Sequence, residues 1–177
     1  MPPITVAFVA SGLAVWLNAL FFLGLGSKPS EGGPEPLKSV GWVSLAAGIV
    51  DLSQAAYIIA ARPAPLGDAS VVLAGLVVFY GVFFLTLGIT EIAGLDLRPV
   101  GNLAIAVAVV PLFWWKFFDG GWMFHSILVV WFVAFLAIAA TTYGKVQPKV
   151  LGAVLLITAG YTFFAPVILL ALGKSIP

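Results

Sequence analysis

Six long apolar stretches, separated by short polar connections, account for almost all of this 177-residue chain. They cover approximately residues 4–25, 40–61, 69–92, 100–117, 122–143 and 150–172. A helix needs about 20 predominantly apolar residues to cross the hydrocarbon core of a bilayer. The connections contain the glycines, prolines and charges that are typical of turns. The pattern therefore predicts an all-α membrane protein in which residues 1–177 form one domain, a bundle of six transmembrane helices.

The composition supports a lipid environment and excludes several functions. Hydrophobic residues make up 62% of the chain and charged residues only 8%, whereas a soluble domain carries roughly 25% charged residues. The net charge of +1 comes from scattered single charges, so no basic patch for nucleic acid is expected. With no cysteine and one histidine, we expect neither a metal site nor a bound cofactor.

The lysines and arginines of the connections predict the orientation in the membrane. The first, third and fifth connections hold Lys28, Lys38, Arg98, Lys145 and Lys149, and the opposite side holds Arg62, Lys116 and Lys174. Positive residues favour the cytoplasmic side. The odd-numbered connections are therefore predicted to be cytoplasmic, with both termini outside.

A few polar residues lie within the predicted spans, where they are costly and are candidates for function. Asp51 lies near the middle of the second span and Asn18 in the first. Each could form an interhelical hydrogen bond or face a pore. Glu91 and His125 lie near span ends, where we expect water to reach them. These groups are too few for a proton relay across several spans, and a passive pathway is the simpler interpretation.

Aromatic and polar residues also recur at helical spacing on three spans. The stripes are Phe8, Ser11, Val15 and Asn18; Tyr80 and Phe84; and Phe124, Ile127, Trp131 and Phe135. Spacings of three and four residues place each set on one helix face. Such faces are usually packing surfaces, so the stripes alone leave open whether they line a channel.

Several segments resemble the urea and short-chain amide channel family, which includes the proton-gated urea channels of gastric bacteria. They are residues 79–81 (Phe-Tyr-Gly) running on to 94–99 (Gly-Leu-Asp-Leu-Arg-Pro), 17–19 (Leu-Asn-Ala), Trp131 with 134–135 (Ala-Phe), and 158–166. The loop Gly-Leu-Asp-x-Arg-Pro is the most specific of these. Chain length and six spans also match, so the resemblance extends over essentially the whole chain.

The resemblance implies a homo-hexameric ring in a bacterial cytoplasmic membrane, with one narrow pore in each protomer for urea or short-chain amides. Matching positions place Asn18, Tyr80, Phe84, Ile127 and Trp131 in the pore lining. The face of the first span adds Phe8, Ser11 and Val15, and Thr158 is a further hydrogen-bonding candidate. Asp51 is a candidate for polar tuning of the pore.

Three positions depart from the gastric urea channels. Thr158 replaces a glutamate of the sixth span, Phe164 replaces a tryptophan, and Asp51 corresponds to an asparagine. The histidine- and acid-rich external loops that sense acid in those channels have no counterpart here. We therefore expect no strong acid gating.

Other classes of function fit less well. A coupled secondary transporter often has broken helices in both halves. Gly160 and Pro166 interrupt the sixth span, but no matching break is predicted in the first half. A membrane-embedded enzyme needs a catalytic cluster, and no such set of residues is predicted. A small assembly subunit is the remaining alternative.

Overall fold

Six helices of transmembrane length form the bundle, as the sequence predicted. The computed structural model describes residues 4–31, 33, 35–64 and 66–177. The helices are α1 (Thr5–Leu23), α2 (Pro36–Ala61), α3 (Ala69–Ala93), α4 (Arg98–Phe118), α5 (Trp122–Thr142) and α6 (Pro148–Ala171).

Three helices begin before the apolar stretch that predicted them. α2 begins at Pro36, α4 at Arg98 and α6 at Pro148, each with proline in the first turn. Proline suits that position because the first backbone N–H groups of a helix have no partner within the helix. Lys38 and Lys149 are therefore helical, although their charge ends the apolar pattern.

Glycines bring α2 and α3 into backbone contact. Gly41 and Gly48 on α2 face Gly88 and Gly81 on α3, respectively, in an antiparallel register. A Cβ added at Gly48 or at Gly88 would lie 2.3 Å from a backbone nitrogen of the facing helix. Small residues favour such close packing in membranes, where van der Waals contact and not the hydrophobic effect holds helices together.

Two helices change geometry along their length. α4 is α-helical over Arg98–Val109 and continues as a 3₁₀ helix over Val110–Phe118. Pro111 lies at this change, and its ring removes one N–H donor and crowds the preceding turn. α6 contains a π-helical segment, Ala159–Phe164, just before Pro166. Both changes lie in the second half of the chain, whereas α1, α2 and α3 are each continuous, as the sequence predicted for the first half.

Candidate functional site

Two cavities lie inside the bundle, one near each end. The small cavity, about 30 Å³, lies between the first halves of α1, α3 and α5, at the end where the chain termini lie. The large cavity, about 300 Å³, lies between the second halves of the same helices and the first half of α6. A cavity of about 10–15 Å³ is enough to hold one water molecule. The small cavity has room for a water or two, and the large one for a small solute with its water.

The residues predicted from the sequence come together around these two cavities. The small cavity is lined by Phe8, Ser11, Asp51, Tyr80 and Ile127, the large one by Val15, Asn18, Phe84 and Thr158, and both by Trp131. That a solute passes along these residues stays a prediction.

An aromatic partition, formed by Trp131 and Phe163, separates the two cavities. Both residues line both cavities, and their rings stack with centroids 5.3 Å apart. Phe8 packs edge-on against both rings, and Tyr80 lies 4.4 Å from the Trp131 ring. The Trp131 indole Nε1 donates a 2.7 Å hydrogen bond to Thr162 Oγ1. The partition is thus held by ring contacts and one directional bond.

Phe163 was not identified by the sequence reasoning. Thr158 and Phe163 are five residues apart, which in a regular α-helix places them on different faces. A π-helix bonds each residue to the fifth one along. The π segment of α6 therefore brings Phe163 to the cavity side together with Thr158. The feature of the sequence that indicates this π segment is Pro166, because a proline disrupts the α-helical hydrogen bonds of the turn before it.

A chain of buried hydrogen bonds crosses three helices beside the large cavity. Asn18 Nδ2 donates to the Ala14 carbonyl and to Ser44 Oγ, both at 3.0 Å. Ser44 Oγ in turn donates to Glu91 Oε2 at 3.1 Å. Glu91 is only 2% exposed and lines the large cavity, so the expectation that it sits at a wet interface is wrong. The close α2–α3 approach explains this, since Gly41 packs directly against its Cβ.

Asp51 takes part in a second interhelical pair of the same design. Ser11 Oγ donates to Asp51 Oδ2 at 2.7 Å. Ser11 and Asn18 are seven residues apart on α1, as are Ser44 and Asp51 on α2, so the two antiparallel helices pair twice in one register. This shared spacing is the signal that could have identified Ser44.

Two buried polar atoms next to the small cavity have no hydrogen-bond partner among the described residues. They are Asp51 Oδ1 and the Tyr80 hydroxyl, and both residues line that cavity. Buried polar groups are nearly always paired. An acceptor and a donor are therefore available next to the small cavity.

The loop before α4 is fixed by an ion pair outside the membrane. The Arg98 backbone nitrogen donates to Asp96 Oδ1 at 2.9 Å, and its guanidinium also binds this carboxylate. The hydrogen bonds from Arg98 lower the pKa of Asp96 below its usual 3.8. In the part of the chain that the structure describes, no group of three or more His, Cys, Asp or Glu side chains is arranged to hold a metal ion.

The fold is that of a membrane channel. A crystal structure of the urea channel of Helicobacter pylori matches with a TM-score of 0.78 at 16% identity, covering 96% of this chain and 98% of that one. A cryo-EM structure of the H. pylori channel in its closed state matches equally well, at 18% identity over 97% and 98%. No family model and no curated protein matches. The chain thus has the urea-channel fold, in agreement with the resemblance seen in the sequence.

Proposed function

We propose that this protein is a member of the urea and short-chain amide channel family. It conducts small neutral amide-type solutes, such as urea and acetamide, passively across a bacterial cytoplasmic membrane. One observation carries the proposal: two cavities lie within a single six-helix bundle and share the stacked rings of Trp131 and Phe163 in their lining. The fold shared with a urea channel supports the same conclusion.

The chemistry of the lining suits flat, neutral, strongly hydrated solutes. Moving an amide into hydrocarbon without replacing its hydrogen bonds costs several kcal/mol per group. Asn18, Glu91 and Thr158 offer replacement partners in the large cavity. The aromatic faces at the partition accept a planar solute, and a tight apolar constriction opposes hydrated ions and continuous water wires.

The remaining features of the proposal come from the sequence. The protein assembles as a homo-hexamer with one pathway in each protomer and with both termini outside. In that orientation the small cavity faces the exterior and the large cavity the cytoplasm. The pathway operates without strong acid gating, because the chain lacks the acid-sensing loops of the gastric channels. Mass measurement of the purified protein in detergent tests the hexamer.

The decisive experiment is a stopped-flow flux panel in proteoliposomes. Urea, acetamide, glycerol and water are compared at pH 5 and pH 7.5, with protein-free liposomes as the background. We expect urea and acetamide to equilibrate well above background, with similar rates at the two pH values. Amide flux no faster than in protein-free liposomes refutes the proposal.

A coupled secondary transporter is the second candidate, because α4 and α6 are interrupted and broken helices are common in that class. Both breaks lie in the second half of the chain, however, and so do not form the matched pair expected of inverted repeats. A counterflow assay separates the two. A channel lets labelled acetamide equilibrate across the vesicle membrane without accumulation. A transporter accumulates it transiently when the vesicles are preloaded with unlabelled solute.

A further inference from the structure

The hydroxyl groups that line the large cavity have all used their donor within the protein. Thr141, Thr142 and Thr158 each donate a 2.8 Å hydrogen bond to a backbone carbonyl of their own helix. Each hydroxyl therefore offers the cavity only lone pairs, because a hydroxyl has one donor and two acceptor positions.

The remaining polar groups of the lining follow the same rule. Both Asn18 Nδ2 hydrogens are used, one by a backbone carbonyl and one by Ser44. The Trp131 N–H is used by Thr162. What remains unpaired within the described residues is acceptor capacity, at Asn18 Oδ1 and at Glu91 Oε1.

A cavity lined by acceptors discriminates between solutes by their donors. A solute with N–H groups gains partners there, whereas a solute that carries only acceptors leaves polar groups unpaired on both sides. The solute carbonyl keeps its partner from water, for which the 300 Å³ volume has room.

We propose that the large cavity is a binding site for the NH₂ group of amide-type solutes, and that Glu91 is its specificity-determining residue. Glu91 Oε1 and Asn18 Oδ1 are the principal acceptors, held in place by the bonds of Ser44. This inference rests on the proposed function and names the chemical group that the pathway recognises.

The direction of the hydrogen-bond chain makes Glu91→Gln a sharp test. Ser44 Oγ accepts from Asn18 and donates to Glu91 Oε2 at 3.1 Å, the shorter of its two donor contacts, since the Val40 carbonyl lies at 3.4 Å. A glutamine that keeps this bond turns its oxygen toward Ser44, and its NH₂ group then faces the cavity. The substitution replaces an acceptor by a donor at nearly constant volume, while the interhelical bond survives.

The experiment measures stopped-flow flux of acetamide and of dimethyl sulfoxide, which has the same number of heavy atoms but no N–H group. Loss of one acceptor is worth about 1–1.5 kcal/mol, so Glu91→Gln should lower the acetamide-to-dimethyl sulfoxide ratio about tenfold. Glu31→Gln, the same change at an exposed loop position, is the matched control and should leave the ratio as it is.

A second variant tests the idea without touching the buried acid. Thr158→Val removes one acceptor from the lining and breaks only a bond within its own helix, so it should lower the same ratio severalfold. If the folded variants keep the parental acetamide-to-dimethyl sulfoxide ratio, or lose both fluxes equally, the proposed NH₂-binding site is wrong. The proposed channel function of the parent protein would still stand. No amide flux in the parent protein refutes the proposed function, and this inference with it.

Discussion

Replacing Trp131 by alanine removes the wall that the two cavities share. Trp131 is 6% exposed and contacts the rings of Phe8, Tyr80 and Phe163. Three ring pairs at about 1 kcal/mol each and the bond to Thr162 at about 1 kcal/mol give about 4 kcal/mol. That agrees with the roughly 3–5 kcal/mol typical of Trp→Ala in a packed interior. The variant should be folded but clearly less stable.

The effect on permeation should be larger for bulky solutes than for urea. If solutes cross the partition as proposed, a bulky solute such as butyramide passes only if a ring gives up one or two of its contacts, at about 1–2 kcal/mol, whereas the smaller urea displaces less. Removing the indole removes that barrier, which corresponds to about tenfold in rate. Butyramide flux relative to urea flux should therefore rise about tenfold, and proton leakage should rise with it.

The assay combines stopped-flow light scattering with a pH-sensitive dye inside the vesicles. Trp122→Ala is the matched control, because Trp122 lies on the same helix and is 61% exposed. Trp114 is unsuitable, since its indole donates a 2.8 Å hydrogen bond to the Val72 carbonyl of α3. If Trp131→Ala and Trp122→Ala leave the butyramide-to-urea ratio equally unaffected, Trp131 does not form the selective barrier.

Three further predictions concern packing, an unpaired hydroxyl and pH. Gly48→Ala places a methyl 2.3 Å from the α3 backbone and should lower the thermal unfolding temperature in detergent far more than Gly75→Ala, whose methyl meets only ordinary contacts at 3.6 Å. Tyr80→Phe removes a buried hydroxyl that has no partner in the described protein. It should therefore leave stability unchanged or raise it by about 1 kcal/mol; a clear loss would indicate a bound water or solute on that hydroxyl. Asp96 has a lowered pKa through Arg98, so the pair stabilises the folded protein above pH 4 and loses its effect as pH falls through the folded-state pKa. The stability difference between Asp96→Ala and the parent protein should consequently be present at pH 7 and shrink as the pH falls below about 4, and a difference that persists unchanged in acid would contradict the assignment.

The sequence was sufficient to predict the features that depend on composition and on the helical spacing of residues. Apolar length predicted six spans, and helical spacing placed Ser11, Asn18 and Trp131 on faces that the structure brings to the cavities. Features set by contact between helices were missed. Glu91 is near a span end by hydropathy, but the glycine contact with α2 buries it.

Local breaks in helical geometry were equally hard to predict. Phe163 reaches the partition only because α6 is π-helical there, which shifts the face expected from a 3.6-residue period. The 3₁₀ segment of α4 begins beside Pro111, a single proline within an otherwise apolar run. A period cannot reveal such a change, since it assumes one regular helix from end to end.

The two cavities offer a neutral amide different hydrogen-bonding partners, and their order has a physical consequence. The large cavity presents acceptors, which satisfy the NH₂ group but not the carbonyl. Next to the small cavity, the Tyr80 hydroxyl and Asp51 Oδ1 provide one donor and one acceptor. A solute crossing the Trp131–Phe163 partition can therefore keep its nitrogen on an acceptor on either side, while its carbonyl exchanges water for the Tyr80 hydroxyl. Because the large cavity leaves the carbonyl to water, it holds the solute only in part, and release from it can stay fast.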